Sequence, residues 1–531
     1  YSKLTKSIID VYSVKDEYGR TVPVREYFDR ILVPKKGRYE VEYSYMPQSV
    51  GLDDEIPYTE RLGARAIGYG TACEYCIISG MTDDAVLWVQ RRVAPRRNGQ
   101  DRQASQAEAV GVMRNDYLAV SGAKKSRVVI PDFSGGADYD KDEGAGSLSR
   151  ALDSFNFDFS GGELKTGYGL KKYLPLANFT VRSAWLFTRY DHDKDERDDI
   201  MLATDDAGKL YERHVSQGAA SFSQVEGVNF ADVPTYINYR LYGDDVVLMC
   251  SVKDGMYVYD GVREPYKVND APLITSMALH GERLFVTVGG EKKDLWFSED
   301  LDPTNWDASL KGGGFIEMTD ERGDLNRVIS FLGYVYVFRE RGISRVYASG
   351  RQTDFAVTNL FVSGGRIYPG SVTVCGDRVL FLATDGLYAF DGANATKILG
   401  KVTGVISSGE RCASAYRDGK YYLSFRRDYT AREEPIGCEN EYANPVNNML
   451  LVLEIATGKY SLSRGLDITG FTCADDAGVV AITSRGETGT VEKCGRGINC
   501  SLKKVWVVPK TDMGTADKKT VREIRLFTKS A

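Results

Sequence analysis

Histidine is scarce in this chain of 531 residues, which contains only His192, His214 and His280. None of the three has the spacing of metal ligands or stands beside a nucleophile motif. No Gly-x-Ser-x-Gly sequence is present, and no Gly-Lys-Ser/Thr closes the glycine-rich stretch Gly161–Gly169. We therefore expect structural or surface histidines, no catalytic residues, no metal site and no cofactor, which argues against an enzyme.

Long runs of one residue class are also missing. The longest apolar stretches fall far short of the ~18–20 residues that a membrane-spanning helix needs, and no signal-peptide pattern is present. No long basic run exists and the formal net charge is −6, which argues against sequence-specific recognition of duplex DNA. With 27% charged and 43% hydrophobic residues, the composition is that of a globular protein.

The cysteines are few and scattered. They are Cys73, Cys76, Cys250, Cys375, Cys412, Cys438, Cys473, Cys494 and Cys500. An odd number of cysteines in a large chain with a good core predicts reduced thiols in a protein that folds in a cytoplasm. Cys73 and Cys76 have the spacing of half a zinc site or of a redox pair. No second pair is nearby, and packing in a helix core is the alternative that we favour.

A short pattern recurs from about residue 243 to residue 420. A polar turn with glycine opens each copy, and a run of β-forming residues follows. The copies are Gly243–Leu248, Gly281–Val286, Gly333–Phe338, Gly376–Phe381 and Gly419–Leu423. Their period of roughly 38 to 52 residues is the size of one four-stranded propeller blade. An Asp-Gly or Arg-Gly turn starts the second half of most units, and we expect such glycines, Gly342 and Gly386 among them, to take a positive φ.

Further units extend the repeat in both directions. Ala184–Thr188 with Ile200–Thr204 forms an early unit, and Gly478–Thr483 with Gly489–Val491 forms a late one. The fold class predicted is therefore mainly β, with a six- or seven-bladed β-propeller over residues 181–531. We expect the terminal strand Val521–Phe527 to help close the ring, since closure removes exposed sheet edges. An insertion at about Arg426–Asn447 should protrude as a loop.

The N-terminal part follows other patterns. Residues 1–125 should form a small module of a few short strands, such as Ile8–Tyr12 and Tyr39–Tyr43, followed by a helical hairpin at about 58–94 that carries Tyr69 and Trp88. Residues 126–180 read as a loop-rich crossing segment that leads into the propeller.

Two acidic stretches invite a chemical interpretation. Asp191–Asp195 resembles the start of a calcium loop, but Glu196 and Leu202 stand where glycine and a bidentate glutamate are needed, so a hairpin tip is expected. Ser298–Trp306 resembles a sialidase-type repeat only loosely and occurs once. Paired acids at a propeller's central channel would be the alternative chemistry, that of a glycosidase.

Several stretches resemble one kind of protein. Leu295–Trp306, Phe338–Tyr347 and Asp385–Gly392 resemble the blades of bacteriophage virion β-propellers, and Ala151–Asp158 with Gly162–Gly169 resembles the segment leading into them. They are similar to the tail nozzle (tail tubular protein B) and tail hub proteins of short-tailed phages. More weakly, Tyr69–Cys76 and its surroundings resemble the helical region of phage head–tail adaptor proteins.

The resemblance implies a structural virion protein without catalytic residues. Its first expected partner is its own copies, in a ring that is expected to be a hexamer. The others are neighbouring tail, adaptor or portal-complex proteins, and viral DNA that passes through the channel without sequence-specific binding. The implied location is the virion tail, with folding in the host cytoplasm and no membrane in the assembled particle. The alternative is a carbohydrate-binding or carbohydrate-cleaving β-propeller.

Overall fold

The computed structural model describes most of the C-terminal three quarters of the chain. The described residues are 2–3, 8–22, 25–27, 30–32, 37–45, 128–130, 132–139, 148–173, 178–191, 194–219, 221–308, 312–429, 446–474, 478–494, 502–509, 511 and 524–527. The chain divides into two compact units, residues 1–125 and residues 126–531.

The N-terminal unit contains short antiparallel strands. They are β1 (Ser2–Lys3), β2 (Ile8–Asp16), β3 (Arg25–Tyr27), β4 (Arg30–Leu32) and β5 (Tyr39–Tyr45). Strand β2 pairs with β5, and β4 lies between β1 and β3. The strands expected at Ile8–Tyr12 and Tyr39–Tyr43 are thus confirmed. The predicted helical hairpin, with Tyr69, Cys73, Cys76 and Trp88, lies outside the described residues.

The C-terminal unit begins with short strands that belong to its last two blades and their surroundings. These are β6 (Gly136–Ala137), β7 (Arg150–Ala151), β8 (Asp153–Phe155), β9 (Phe157–Asp158), β10 (Lys165–Thr166) and β11 (Tyr168–Lys172). They come from the segment that the sequence identifies as a crossing.

The described residues then form seven antiparallel blades of four strands or more, and in six of them four consecutive strands make up the blade or its inner part. Blade 1 holds β12 (Val181–Asp191), β13 (Glu196–Asp205), β14 (Lys209–His214) and β15 (Ser223–Asn229); blade 2 holds β16 (Thr235–Leu241), β17 (Asp244–Ser251), β18 (Gly255–Tyr259) and β19 (Tyr266–Val268). Blade 3 holds β20 (Ile274–His280), β21 (Arg283–Val288), β22 (Asp294–Phe297) and β23 (Gly314–Glu317); blade 4 holds β24 (Leu325–Phe331), β25 (Tyr334–Arg339), β26 (Gly342–Tyr347) and β27 (Ala356–Val362). Blade 5 holds β28 (Thr373–Cys375), β29 (Arg378–Ala383), β30 (Gly386–Phe390) and β31 (Ala395–Ile398).

The last two blades complete the ring. Blade 6 holds β32 (Ser408–Arg417), β33 (Lys420–Arg426), β34 (Met449–Glu454) and β35 (Tyr460–Arg464), extended outward by β9 and β10. Blade 7 holds β36 (Ile468–Ala474), β37 (Gly478–Thr483), β38 (Thr488–Lys493) and, outermost, β11. Strand β39 (Val505–Val507) pairs with β8, and short 3-10 turns occur at Gln352–Asp354, Pro369–Ser371 and Gly400–Val405. The fold is a seven-bladed β-propeller, within the predicted six or seven.

Burial on both faces explains why the second strands of blades 2 to 7 are largely apolar in their buried stretches. In β17, Val247 and Met249 pack toward blade 1, while Leu248 and Cys250 pack toward blade 3. Alternate residues of a strand point to opposite faces of its sheet, so a fully buried strand must be apolar at every position. A separate hydrophobic cluster fills the space between each pair of adjacent blades.

The first strands of the blades form the inner ring. Contacts run from β28 through β32, β36, β12, β16 and β20 to β24. The contact of β36 with β12 joins the last blade to the first.

The strand that closes the ring is not the one expected from the sequence. Tyr168–Lys172 pairs along β38 from Lys493 to Gly489 and so supplies the outer strand of blade 7. Residues 524–527 form no strand, and Ile524, Leu526 and Phe527 are exposed. The predicted closure by Val521–Phe527 is therefore wrong for the described residues 524–527. Exposed apolar residues in a β-forming pattern look like a strand in the sequence, although no described strand pairs with residues 524–527.

A series of alternating arginines and aromatic rings anchors the incoming segment to blade 6. Arg427 lies over the Tyr139 ring at 5.0 Å from its centroid and over the Tyr429 ring at 4.1 Å. Arg464 lies over the same Tyr429 ring at 4.0 Å and over Phe155 at 5.1 Å. Such cation–π contacts gain strength where water is excluded, so the series ties the chain before blade 1 to the insertion's base.

The base of the predicted insertion is closed by an asparagine. The backbone N–H of Arg427 donates to Asn448 Oδ1 at 2.8 Å, and Asn448 Nδ2 donates to the Arg427 carbonyl at 2.8 Å. Residues 430–445, which make up most of the insertion, lie outside the described residues.

The cysteines follow the prediction only in part. Cys250, Cys375 and Cys412 are buried free thiols, and burial raises the pKa of each. Cys494 is disulfide-bonded. The expectation of reduced cysteines throughout is therefore wrong for Cys494. Spacing within a sequence does not show which thiols a propeller brings together.

Candidate functional site

The two ends of the propeller carry different loops. The first and third strands of each blade run in the same direction, so the turns after them lie at one end, which we call face 1. Face 2 carries the turns after the second strands and the crossings between blades. This follows from the antiparallel order of each sheet.

Large exposed apolar side chains concentrate at face 1 of blades 2 to 4. They are Tyr242, Val262, Tyr266, Leu279, Leu301, Phe315, Leu332 and Tyr347. No large apolar side chain is exposed among the described residues of blades 5 to 7. Single exposed apolar residues are ordinary, whereas a group of them on one side marks an interaction site. We call the group the blade 2–4 surface.

Three of these residues also take a backbone conformation that bulky side chains avoid. Tyr242, Leu301 and Leu332 have φ of 52°, 63° and 46°, and their exposed fractions are 81%, 59% and 60%. In blade 6 the turn equivalent to those of Tyr242 and Leu332 uses Asp418, which tolerates this conformation better. Burial does not offset the cost of the strained conformation at these three positions. We therefore infer that the three side chains have a role outside the folding of the chain.

A hydrogen-bond network orders the part of this surface that lies in blades 2 and 3. Tyr242 Oη donates to Asp302 Oδ2 at 2.9 Å, and Asp302 Oδ1 accepts from the Thr304 backbone N–H at 2.9 Å. Burial alone would raise the pKa of Asp302, but the bonds from Thr304 and Tyr242 outweigh it and hold that pKa below its usual value. The bond to Asp302 raises the pKa of Tyr242. At neutral pH the carboxylate is thus charged and the phenol is a neutral donor.

Carboxylates surround the apolar residues. Glu264, Glu282, Glu299, Asp300 and Asp302 all lie in the face 1 turns of blades 2 and 3. The two arginines among the described residues of these turns, Arg263 and Arg283, already have partners.

Arg263 pairs with Asp260 at 3.5 Å. Arg283 donates to the carbonyls of Ser298 and Gly312 and lies 4.0 Å from Asp300. In blades 2 and 3, the described margin of this apolar surface is therefore rich in carboxylates.

A second feature is a cavity of about 400 Å³ between blades 6 and 7. Tyr168 and Tyr422 line it with Arg417, Lys420 and Lys493, and with Asp418 and Glu492. The ammonium groups of Lys420 and Lys493 lie 5.9 and 5.8 Å from the centroid of the Tyr168 ring. Burial raises the pKa of Tyr168 to about 12, so its hydroxyl stays protonated.

The two described histidines have structural partners. His214 Nδ1 lies 2.9 Å from Asp198 Oδ2, and Ser216 Oγ donates to the same carboxylate instead of to the imidazole. His280 Nδ1 lies 2.9 Å from Ser330 Oγ, which links blades 3 and 4. His192 lies outside the described residues. No nucleophile–histidine–acid series is formed by these described residues.

The other candidate stretches are turns or strands. Asp191 and Glu196 pair across the hairpin that joins β12 to β13, and Gly161–Gly169 runs into β10 and β11. In Ser298–Trp306, the Trp306 ring is buried between blades 2 and 3 and Asn305 Nδ2 donates to Glu299 at 2.6 Å. No group of three or more His, Cys, Asp or Glu among the described residues is placed to hold a metal ion.

Sequence reasoning missed the blade 2–4 surface. A signal was present, because Tyr242 and Leu332 each precede the glycine of a two-residue hairpin turn, where Asn, Asp or Gly is preferred. In the described part of the chain, no helix has the length and apolar character to cross a membrane.

Comparison with known proteins finds only distant structural similarity. No protein-family model matches the chain, and no curated protein matches it. Among solved structures, apo AztD from Citrobacter koseri is 14% identical over 50% of this chain and 68% of its own, with a TM-score of 0.29. Raptor from Chaetomium thermophilum is 9% identical (62% of this chain, 29% of its own, TM-score 0.41). BBS1N, solved in complex with ARL6DN, is 10% identical (62% and 98%, TM-score 0.39). Similarities this low carry no argument about function.

Proposed function

We propose that the chain is a structural protein of a bacteriophage tail that forms part of a ring-shaped nozzle or hub and conducts DNA during ejection. The resemblance of its blades to phage virion propellers suggests this role. Its proposed partners are its own copies, in a ring of most often six, and the neighbouring tail, adaptor or portal-complex proteins of the virion. The observation that carries the proposal is the blade 2–4 surface.

A directional contact suits a ring. The exposed apolar residues occupy face 1 of three adjacent blades and are missing from the described residues of blades 5 to 7. A contact between this surface and a different surface of the next copy is head-to-tail, and such contacts close into rings when the rotation permits. Exposed tyrosines suit interfaces of this kind, because their rings pack while their hydroxyls stay hydrated.

The charge of the chain is compatible with DNA passage. A formal net charge of −6 repels the phosphate backbone, so DNA would slide along the protein without being held. Under this proposal the isolated chain binds DNA weakly or not at all at physiological salt.

The assembly role is tested by removing the apolar contact. We expect the double variant Leu301→Ser/Leu332→Ser to lose the oligomer that wild-type protein forms in sedimentation velocity. Both side chains are exposed, so the monomer should keep its thermal stability.

The matched control changes two exposed apolar residues at face 2. Val233→Ser/Leu273→Ser alters side chains of similar exposure and should leave the oligomer intact. A wild-type chain that stays monomeric at all concentrations and beside its virion partners would contradict the proposal, as would equal loss of oligomer in both variants.

A second candidate function is carbohydrate binding by the cavity between blades 6 and 7. Its volume of about 400 Å³ falls in the range of small-ligand sites. Two tyrosine rings with charged groups on both sides form a lining suited to a polar ring. The test is a glycan screen of the wild type against Lys420→Ala, with Lys397→Ala on blade 5 as the control. Binding that only Lys420→Ala abolishes would favour this function.

A further inference from the structure

The outermost strands of the blades differ in one respect. Six of the seven described outer strands carry at least one charged residue. These are Lys165 in β10, Lys171 and Lys172 in β11, Glu226 in β15, Lys267 in β19, Glu317 in β23 and Lys397 in β31. The exception is β27 of blade 4, whose sequence is AVTNLFV.

Strand β27 is also long and exposed. It spans seven residues, as long as any outer strand described, and contains no proline or glycine. Val357 and Val362 are 42% and 55% exposed. Ala356 to Asn359 pair in regular register with β26, and a bulge follows at Leu360.

An edge strand without charged residues is unusual in a protein that remains monomeric. The outer side of an edge strand presents unpaired N–H and C=O groups, and charged side chains normally keep other strands away. Strand β27 ends the described sheet of blade 4 and carries no charged residue, so another strand can add to it, with backbone hydrogen bonds supplying the affinity.

We propose that β27 pairs antiparallel with β27 of a second copy of this chain, centred on Thr358. In a two-fold antiparallel pair the central residue faces its own copy, and the residues on either side of it face each other across the axis. The outer strands β15 and β19 have Glu226 and Lys267 at their centres, so pairing them in this way would oppose like charges, which is destabilising. Strand β27 avoids this opposition along its whole length.

The contact is distinct from the ring contact proposed above. It is isologous, whereas the ring contact is head-to-tail. It adjoins the blade 2–4 surface, because Ala356 pairs with Tyr347. A pair of short strands buries little area, so we expect a weak dimer that forms at high protein concentration.

Cross-linking of the full-length chain tests the pairing directly. Two-fold pairing centred on Thr358 places its two Cα atoms about 4.5–5.5 Å apart, within the range that a disulfide spans. Under mild oxidation, Thr358→Cys should form a covalent dimer on a non-reducing gel. Thr396→Cys, on the exposed part of the charged strand β31, is the matched control and should give no more dimer than the wild type.

A charge at the edge gives the complementary test. Val357→Lys should lose the concentration-dependent dimer seen in sedimentation equilibrium, while Thr396→Lys keeps it. A circular dichroism melt confirms that both variants fold. The proposal is overturned if Thr358→Cys cross-links no better than Thr396→Cys, or if it cross-links only to a different protein in a virion mixture.

The two assembly proposals fail separately. Loss of the dimer in Val357→Lys with the ring retained supports strand pairing. Loss of the ring in Leu301→Ser/Leu332→Ser with the Thr358→Cys cross-link retained supports two independent contacts. A Val357→Lys chain that keeps the full dimer contradicts the role of β27.

Discussion

Single residues in the turns of this propeller carry two kinds of constraint. Gly386 has a φ of 143°, so the prediction of a positive φ is confirmed there. Gly342 has no positive φ, and the prediction is wrong for it. A Cβ at Gly342 would lie 2.5 Å from the Phe361 carbonyl oxygen and 2.8 Å from Arg322 Cγ. Close approach of the backbone, and not the sign of φ, is the reason for this glycine.

Gly342→Ala should therefore destabilise the protein through a backbone clash. We expect a loss on the order of 2–3 kcal/mol in the free energy of unfolding, measured by urea denaturation. Gly364→Ala is the control, because nothing lies within 4 Å of its Cβ position, and it should change stability little. Equal stability of the two variants would contradict the prediction, because it would mean that blade 4 shifts to accommodate a Cβ atom at Gly342 at little cost.

Asp320 offers a pH-dependent test at the same scale. It lies 2.7 Å from Nη1 of Arg339, which is fully buried. Burial alone would raise the pKa of Asp320. Hydrogen bonds from the Arg322 backbone and from Arg339, together with both guanidinium charges, hold it below the usual value.

Asp320→Asn should cost on the order of 3 kcal/mol at pH 7, because it leaves a buried guanidinium without its counter-charge. A lowered carboxyl pKa contributes stability above the unfolded-state value near 4, and this contribution fades as the pH falls through the folded-state pKa. The stability gap between wild type and variant should thus narrow below about pH 4. Asp206→Asn, at an exposed turn, should show neither effect.

At the scale of elements, the sequence did not predict the closing strand β11, because its partner β38 lies far away along the chain. The repeat of Gly243–Leu248, Gly333–Phe338 and the other copies predicts the second strands, and β17, β21, β25, β29 and β33 confirm them. These hairpins are local, so the sequence contains their whole signal. The pairing of β11 with β38 joins residues more than 300 positions apart, and no local pattern encodes such a partner.

The closing strand can be tested by removing one of its hydrogen bonds. Tyr173 donates its N–H to Thr488, and Cys494 donates to Gly167. The alternation along an antiparallel pair then directs the Lys171 N–H toward β38 and the Lys172 N–H away from it.

We expect Lys171→Pro to lower the free energy of unfolding by on the order of 1–3 kcal/mol more than Lys172→Pro, since only the first removes a bond of the ladder. Both side chains are exposed, so packing is matched between the two. Thermal and urea unfolding measure the difference. Equal stability would mean that β11 does not hold the ring closed.

The whole molecule shows what a sequence alone leaves open. Exposure is a property of the assembled ring, because Leu301, Leu332 and Tyr347 become one surface only when blades 3 and 4 are adjacent. The same apolar residues read as core positions in the sequence. The local signal of this surface was the residue before the glycine in two hairpin turns, where Tyr242 and Leu332 stand in place of the preferred Asn, Asp or Gly.

The central claim is that copies of this chain form a closed ring. Electron microscopy of the purified full-length protein in negative stain, with class averages along the ring axis, tests it most directly. The account predicts closed rings with an open centre and a single subunit number, expected to be six. It also predicts that the Leu301→Ser/Leu332→Ser variant forms no rings. Single propellers alone, at every concentration and in the presence of the virion partners, would contradict it.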